Sequence, residues 1–306
     1  MVLRAFGLVL LLLFPAVVSY AAGYSEIARM VVLGTVFAFY FGILARPIAP
    51  FAVLIPAVYA AAAVTANLTD GVAALILAVA AATGAASSLG YHRGLLAVLA
   101  AALIGSFEPV AAPVALERAV AMLGGSVYGV LLVMTIGRGL TVDTRAVNSQ
   151  TALSYSVLLA VLVLLAWFAA RAAGLAEAWW LPLTVAALGE PSLDSTPARA
   201  VVKLMLALAG TLVLLAMFEN GLEAATRALF AVVMLLAFLG AGRHRAWLQG
   251  FLLTPVLALL AAGNDQFSIG VYLEPTLVVF AMVSVFTVLG KWMLWTLRPD
   301  SGHVAA

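Results

Sequence analysis

The sequence predicts an all-α polytopic membrane protein of about twelve transmembrane helices, built as two parallel six-helix repeats with both termini cytoplasmic. Composition, the length of the apolar runs and the side on which the charges fall all point there. Of 306 residues, 66% are hydrophobic and 9% charged, and mean hydropathy is +1.18. A soluble domain carries roughly a quarter of its residues as Asp, Glu, Lys or Arg. Most of a globular surface must meet water, so no soluble fold hides this much apolar surface. Composition therefore excludes a cytosolic enzyme, a nucleic-acid binder and a disordered protein, and the absence of cysteine excludes a disulfide scaffold. The pI near 9.0 reflects a net charge of only +2 and carries no message about nucleic acid.

Apolar runs of about 17 to 25 residues mark membrane helices. They recur at roughly 4–21, 28–45, 49–66, 71–88, 94–110 and 118–136. After a polar stretch from Arg138 to Gln150 they resume at roughly 151–171, 176–190, 199–218, 224–240, 246–262 and 271–296. Residues 1–137 thus form a first membrane repeat, 138–150 a cytoplasmic linker and 151–306 a second repeat. A transmembrane β-barrel would instead show alternating segments of about 10 residues, which this chain lacks.

Lys and Arg are retained on the cytoplasmic side. With a cytoplasmic N-terminus, one side receives Arg4, Arg46, Arg93, Arg138, Arg145, Arg199, Lys203, Arg243, Arg245, Lys291 and Arg298. The other receives only Arg29, Arg118, Arg171 and Arg227. Acids run the opposite way: Glu26, Asp70, Glu108, Glu117, Glu177, Glu219, Glu223, Asp265 and Glu274 all fall outside.

Arg4, a short apolar core and Ser19-Tyr20-Ala21 also fit a cleaved secretory signal. An internal repeat favours a retained span. Ala21-Ala22-Gly23-Tyr24-Ser25-Glu26 recurs as Ala172-Ala173-Gly174-Leu175-Ala176-Glu177. Leu89-Gly90-Tyr91-His92-Arg93 recurs as Leu239-Gly240 followed by Arg243-His244-Arg245. Both matches are offset by about half the chain. An even number of spans per repeat makes the duplication parallel, and such halves meet around a site near the bilayer midplane.

The densest polar cluster runs from Trp179 to Lys203. The eighth span is short, interrupted by Pro182 and stopped by Gly189 and Pro191. A broken helix leaves backbone groups free to face a cavity, which is the sequence pointer to a transport site. Arg199 and Lys203, one turn apart, would draw an anion, with Thr184 and Thr196 as hydroxyl donors and Trp179 and Trp180 stacking on an aromatic ring. Glu190 and Asp194 are the proton-coupling candidates. The plainer alternatives are interfacial belt tryptophans, snorkelling bases and a helix cap at Asp194.

His92 and His244 fall at equivalent repeat positions beside arginines, where anchoring in a cytoplasmic loop outweighs proton sensing. Asp70 and Glu274 read as interfacial, and Arg46-Pro47, Pro50 and Pro56 mark a kink-prone segment. Phosphate-loop, dinucleotide and H-E-x-x-H motifs are missing. No cofactor, metal or catalytic residue is expected, and energy must come from an ion gradient or a partner.

The stretch from Trp179 to Gly210 resembles the fusaric-acid-resistance and aromatic-acid-exporter superfamily of bacterial membrane proteins. The residues that carry the likeness are Trp180, Leu183, Thr184, Val185, Pro191, Ser192, Thr196, Arg199, Lys203 and Gly210. The Gly-Thr pair usual after the second base is absent, with Leu206 and Ala207 in its place. Pro47-Ile48-Ala49-Pro50-Phe51 looks like a sister family in the same superfamily. The cytoplasmic domain that family members commonly carry between the halves is reduced here to the Arg138–Gln150 linker. The resemblance implies proton-coupled export of aromatic carboxylates, related organic acids or drugs, with a periplasmic adaptor of the membrane-fusion type. The expectation is thus a multi-pass protein of the bacterial inner membrane. Its partners would be an organic anion, the bilayer, that adaptor and further copies of itself. The rivals are a non-transporting scaffold subunit, a ten-span drug/metabolite-type carrier, and an enzyme acting on lipid-linked substrates.

Overall fold

The computed structural model describes residues 11–15, 17–19, 21–42, 49–135, 146–172 and 179–188, with isolated positions 205, 209, 285 and 292. The described residues form helices and connections, with no strand among them. After a helical stretch within 11–21 come α1 (Ser25–Gly42), α2 (Ala49–Thr65), α3 (Thr69–Ala85) and a 3₁₀ turn (Ala86–Leu89). Then follow α4 (His92–Phe107), α5 (Ala112–Thr135), α6 (Ser149–Ala172) and α7 (Trp180–Leu188). Each falls on an apolar run expected from the sequence. Three stretches, Thr69–Leu89, Ala112–Thr135 and Ser149–Ala172, are long and apolar enough to cross a membrane. The expected second repeat, 151–306, lies outside the described residues apart from α6, Trp179, α7 and positions 205, 209, 285 and 292.

Local chemistry sets the boundaries. Asn148 caps α6 by accepting a 3.1 Å hydrogen bond from the backbone N–H of Gln150. Pro109 excludes α conformation at the residue before it, so α4 ends at Phe107 and Glu108 lies at φ −117°, ψ 68°. Pro113 then sits in the first turn of α5, where its missing N–H has no helical partner to lose. Hydroxyls within the apolar helices satisfy themselves locally. Thr35, Thr65, Thr83 and Thr135 each donate to the carbonyl four residues back, at 2.7–2.8 Å.

Helix α1 packs on α5, α2 on α4 and α5, α3 on α4 and α6, and α6 on α7. The tightest crossings are made by glycine. A Cβ on Gly34 would run into the Met122 carbonyl, and one on Gly125 into that of Val31. Gly129, four residues beyond Gly125, meets the Thr35 carbonyl in the same way. This small-xxx-small spacing lets two backbones touch, which matters where lipid competes with side chains for apolar contact. Gly105 against Tyr59 brings α4 onto α2, and Gly84 against Ser156 brings α3 onto α6. Met30, Ile55, Tyr59, Met122 and Trp167 fill the core at 0% exposure. The outside is apolar too: Leu153, Val157, Val161 and Leu165 make an exposed stripe along one face of α6. A helix apolar all round fits a membrane and not an aqueous surface.

Two expectations need correction. His92 is the first residue of α4, only 5% exposed, and not an anchor in an open loop. Gly90, at φ 75°, closes the 3₁₀ turn so tightly that His92 tucks against α3 and α6. Its Nδ1 lies 3.3 Å from the Thr83 carbonyl oxygen, and its ring meets Tyr155 edge-on at 5.4 Å. Pro182 does not interrupt a helix. It stands in the first turn of α7, where the backbone N–H groups are unpaired in any case. The described stretch ends at Leu188, so the expected stop at Gly189 and Pro191 lies outside it.

Candidate functional site: a two-arginine cluster on Glu108

Charges that the sequence places on the sparsely basic side come together at one end of the bundle. Arg29 lies a turn into α1, Tyr59 about a turn and a half before the end of α2, and Arg118 a similar distance into α5. Glu108, released from α4 by Pro109, reaches between them. Arg29 Nη2 donates to Glu108 Oε1 at 2.6 Å across 79 residues of sequence. Arg118 Nη1 donates to Glu108 Oε2 at 3.2 Å, and the Tyr59 hydroxyl donates to the same oxygen at 3.4 Å. Arg118 Nη2 also pairs with Glu26 Oε2 at 3.2 Å.

Burial grades across the cluster. The side chains of Arg29, Glu108 and Arg118 keep only 16–21% of their surface exposed, while Glu26 keeps 60%. Two guanidiniums therefore share one half-enclosed carboxylate, and the second acid screens the outer arginine from water. Such charge-assisted bonds strengthen as water is excluded. The fit is incomplete, because Arg29 Nε is buried and has no acceptor among the described residues. A guanidinium binds a carboxylate best through two parallel N–H groups, so Arg29 retains unused capacity for an anionic ligand.

A second set of contacts braces this end. Trp167 of α6 donates from Nε1 to Ser106 Oγ at 3.0 Å, and Ser106 passes its own proton to the Leu103 carbonyl at 2.7 Å. Arg171 lies 5.0 Å from the Trp167 ring centre and donates to the Ala66 carbonyl at 3.3 Å. Together these tie α4, α6 and the α2–α3 connection.

Among the residues singled out from the sequence, Trp179 immediately precedes α7 and is 2% exposed within the main core, not turned to an interfacial belt. Trp180 and Thr184 lie in α7, with side chains outside the described set. Glu190, Asp194, Thr196, Arg199 and Lys203 all lie outside the described residues. In the sequence, Arg29, Glu108 and Arg118 read only as signals of sidedness. The missed signal was that Arg29 and Arg118 stand against the basic-residue bias, and an arginine that defies it needs another reason to be there.

Among the described residues no group of three or more His, Asp or Glu is placed to hold a metal ion. No family model, curated protein or solved structure matches the chain.

Proposed function

We propose that this chain is a multi-pass inner-membrane secondary carrier, of about twelve spans in two parallel repeats, that exports small organic anions. Aromatic carboxylates are the substrate class suggested by the resemblance of the Trp179–Gly210 segment to the fusaric-acid-resistance and aromatic-acid-exporter superfamily. In this reading transport is proton-coupled and delivers substrate to a periplasmic adaptor. Arg199 and Lys203 draw the anion in from the cytoplasm, Thr184 and Thr196 donate to it, Trp179 and Trp180 stack on its ring, and Glu190 and Asp194 exchange protons.

The observation that carries the reading is the Arg29–Glu108–Arg118 cluster. In a chain with 9% charged residues, it gathers three charges between helices at the end where a carrier's outer mouth would lie. Ionisable groups inside an apolar bundle are costly and mark ion or substrate routes.

Purified protein in proteoliposomes tests this directly. Labelled benzoate loaded inside should leave faster than from protein-free vesicles, and its rate should respond to an imposed pH gradient. Flux equal to that of empty vesicles, with a stable co-purifying partner, would favour the scaffold subunit instead.

A further inference from the structure

We propose that Pro15 and Tyr128 are a hinge and its lock: the proline frees one backbone carbonyl of the N-terminal helical stretch, and the tyrosine of α5 holds that carbonyl on the bundle. In an α-helix the carbonyl of residue 11 accepts from the N–H of residue 15. Pro15 has no N–H, and a proline ring also crowds the carbonyl four residues back. That carbonyl belongs to Leu11, and it accepts a 2.7 Å hydrogen bond from the Tyr128 hydroxyl across 117 residues of sequence. The match is specific, since a proline at any other position would free a different carbonyl.

The setting gives the bond its weight. Tyr128 lies well inside α5, a stretch long and apolar enough to cross a membrane, between the exposed side chains of Val127 and Leu131. Lipid tails offer neither donor nor acceptor, so a freed carbonyl and a tyrosine hydroxyl at that depth each need a protein partner. Packing before Pro15 points the same way. Leu12 is 3% exposed against Phe39, Leu132 and Val133, and Leu13 packs on Val32 and Val36. After Pro15 the side chains of Val17 and Val18 are exposed, and the chain turns into α1 through Gly23 at φ 87°.

Pro15 thus divides the stretch into a half seated on α1 and α5 and a half tied to α1 by the chain itself. Apolar side-chain contact alone holds helices weakly where lipid is equally apolar. Loss of the Tyr128 hydroxyl therefore lets the seated half swing about Pro15. Restoring an N–H at position 15 repairs the helix from within and makes the hydroxyl dispensable.

A double-mutant cycle on the purified full-length protein tests this. In mixed micelles Y128F should shift the unfolding equilibrium about threefold toward the unfolded form, the weight of an average interhelical hydrogen bond in a membrane. In P15A, adding Y128F should shift it no further. Because the chain has no cysteine, spin labels on F14C and V18C report motion on either side of the hinge without background. Y128F should raise mobility at position 14 and leave position 18 unchanged, and P15A/Y128F should return position 14 to its wild-type mobility. A Y128F protein that folds only in the P15A background would support the lock equally. Equal Y128F shifts in both backgrounds, unchanged mobility at position 14, equal loosening at positions 14 and 18, or failure of Y128F to fold in either background overturns the assignment.

Discussion

Trp167 on α6 and Ser106 on α4 are joined at 3.0 Å although 61 residues separate them, and both are buried. Ser106 lies two residues before Glu108, which caps the end of α4. The bond therefore fixes the height of α4, and with it the position from which Glu108 meets the two arginines. S106A removes only the acceptor and should cost about 0.6 kcal/mol, typical of interhelical hydrogen bonds in membranes. W167A also empties the core and should cost about 3–5 kcal/mol. Chemical unfolding in mixed micelles should rank the two variants in that order.

Adjacent glycines on α5 should respond oppositely. A Cβ on Gly125 meets the Val31 carbonyl, whereas one on Gly124 meets nothing within 4 Å. Gly125→Leu forces α1 and α5 apart, and monodisperse protein after detergent extraction should largely disappear. Gly124→Ala should be neutral or stabilising by up to about 1 kcal/mol through helix propensity. Equal yields from the two variants would refute the close approach of these helices.

Glu108 and Glu26 touch the same arginine at different depths. E108A leaves the partly buried Arg29 without a carboxylate and Arg118 with Glu26 alone, and should lower stability by about 2–4 kcal/mol. E26A removes an exposed partner and should cost less than about 1 kcal/mol. Thermal unfolding in one detergent checks the contrast, and the E26A effect should shrink with added salt.

The absence of cysteine allows a clean topology test. Asp70 is exposed in the first turn of α3 and Glu117 in the second turn of α5, while Asn148 is exposed just before α6, at the opposite end. Single cysteines at Asp70 and Glu117 should react with an impermeant maleimide in cells whose outer membrane has been opened. A cysteine at Asn148 should react only after the inner membrane is breached. The reverse pattern would invert the orientation and put the arginine cluster on the cytoplasmic side.

Periodicity and length made the helices of the described region legible. An apolar run of about 17 to 25 residues, ended by Gly, Pro or a charge, has few alternatives to a helix when lipid offers the backbone no hydrogen bonds. The proline before α5 and the Asn148 cap are equally local. Charge bias also brought Glu26, Arg29, Glu108 and Arg118 to one side.

Pairing among those charges was not legible, because it depends on which helices are neighbours. That choice rests on backbone approach at Gly34, Gly125 and Gly105, a property of shape that hydropathy does not encode. Burial of His92 had the same origin, since a left-handed Gly90 turns an apparent loop residue into the root of α4. The sequence by itself determined a membrane-compatible chain whose described residues are helical and connecting, because solvation acts residue by residue. Only tertiary structure decided that Glu108 stands between two arginines, because an ion pair 79 residues apart exists only once packing has chosen the neighbours.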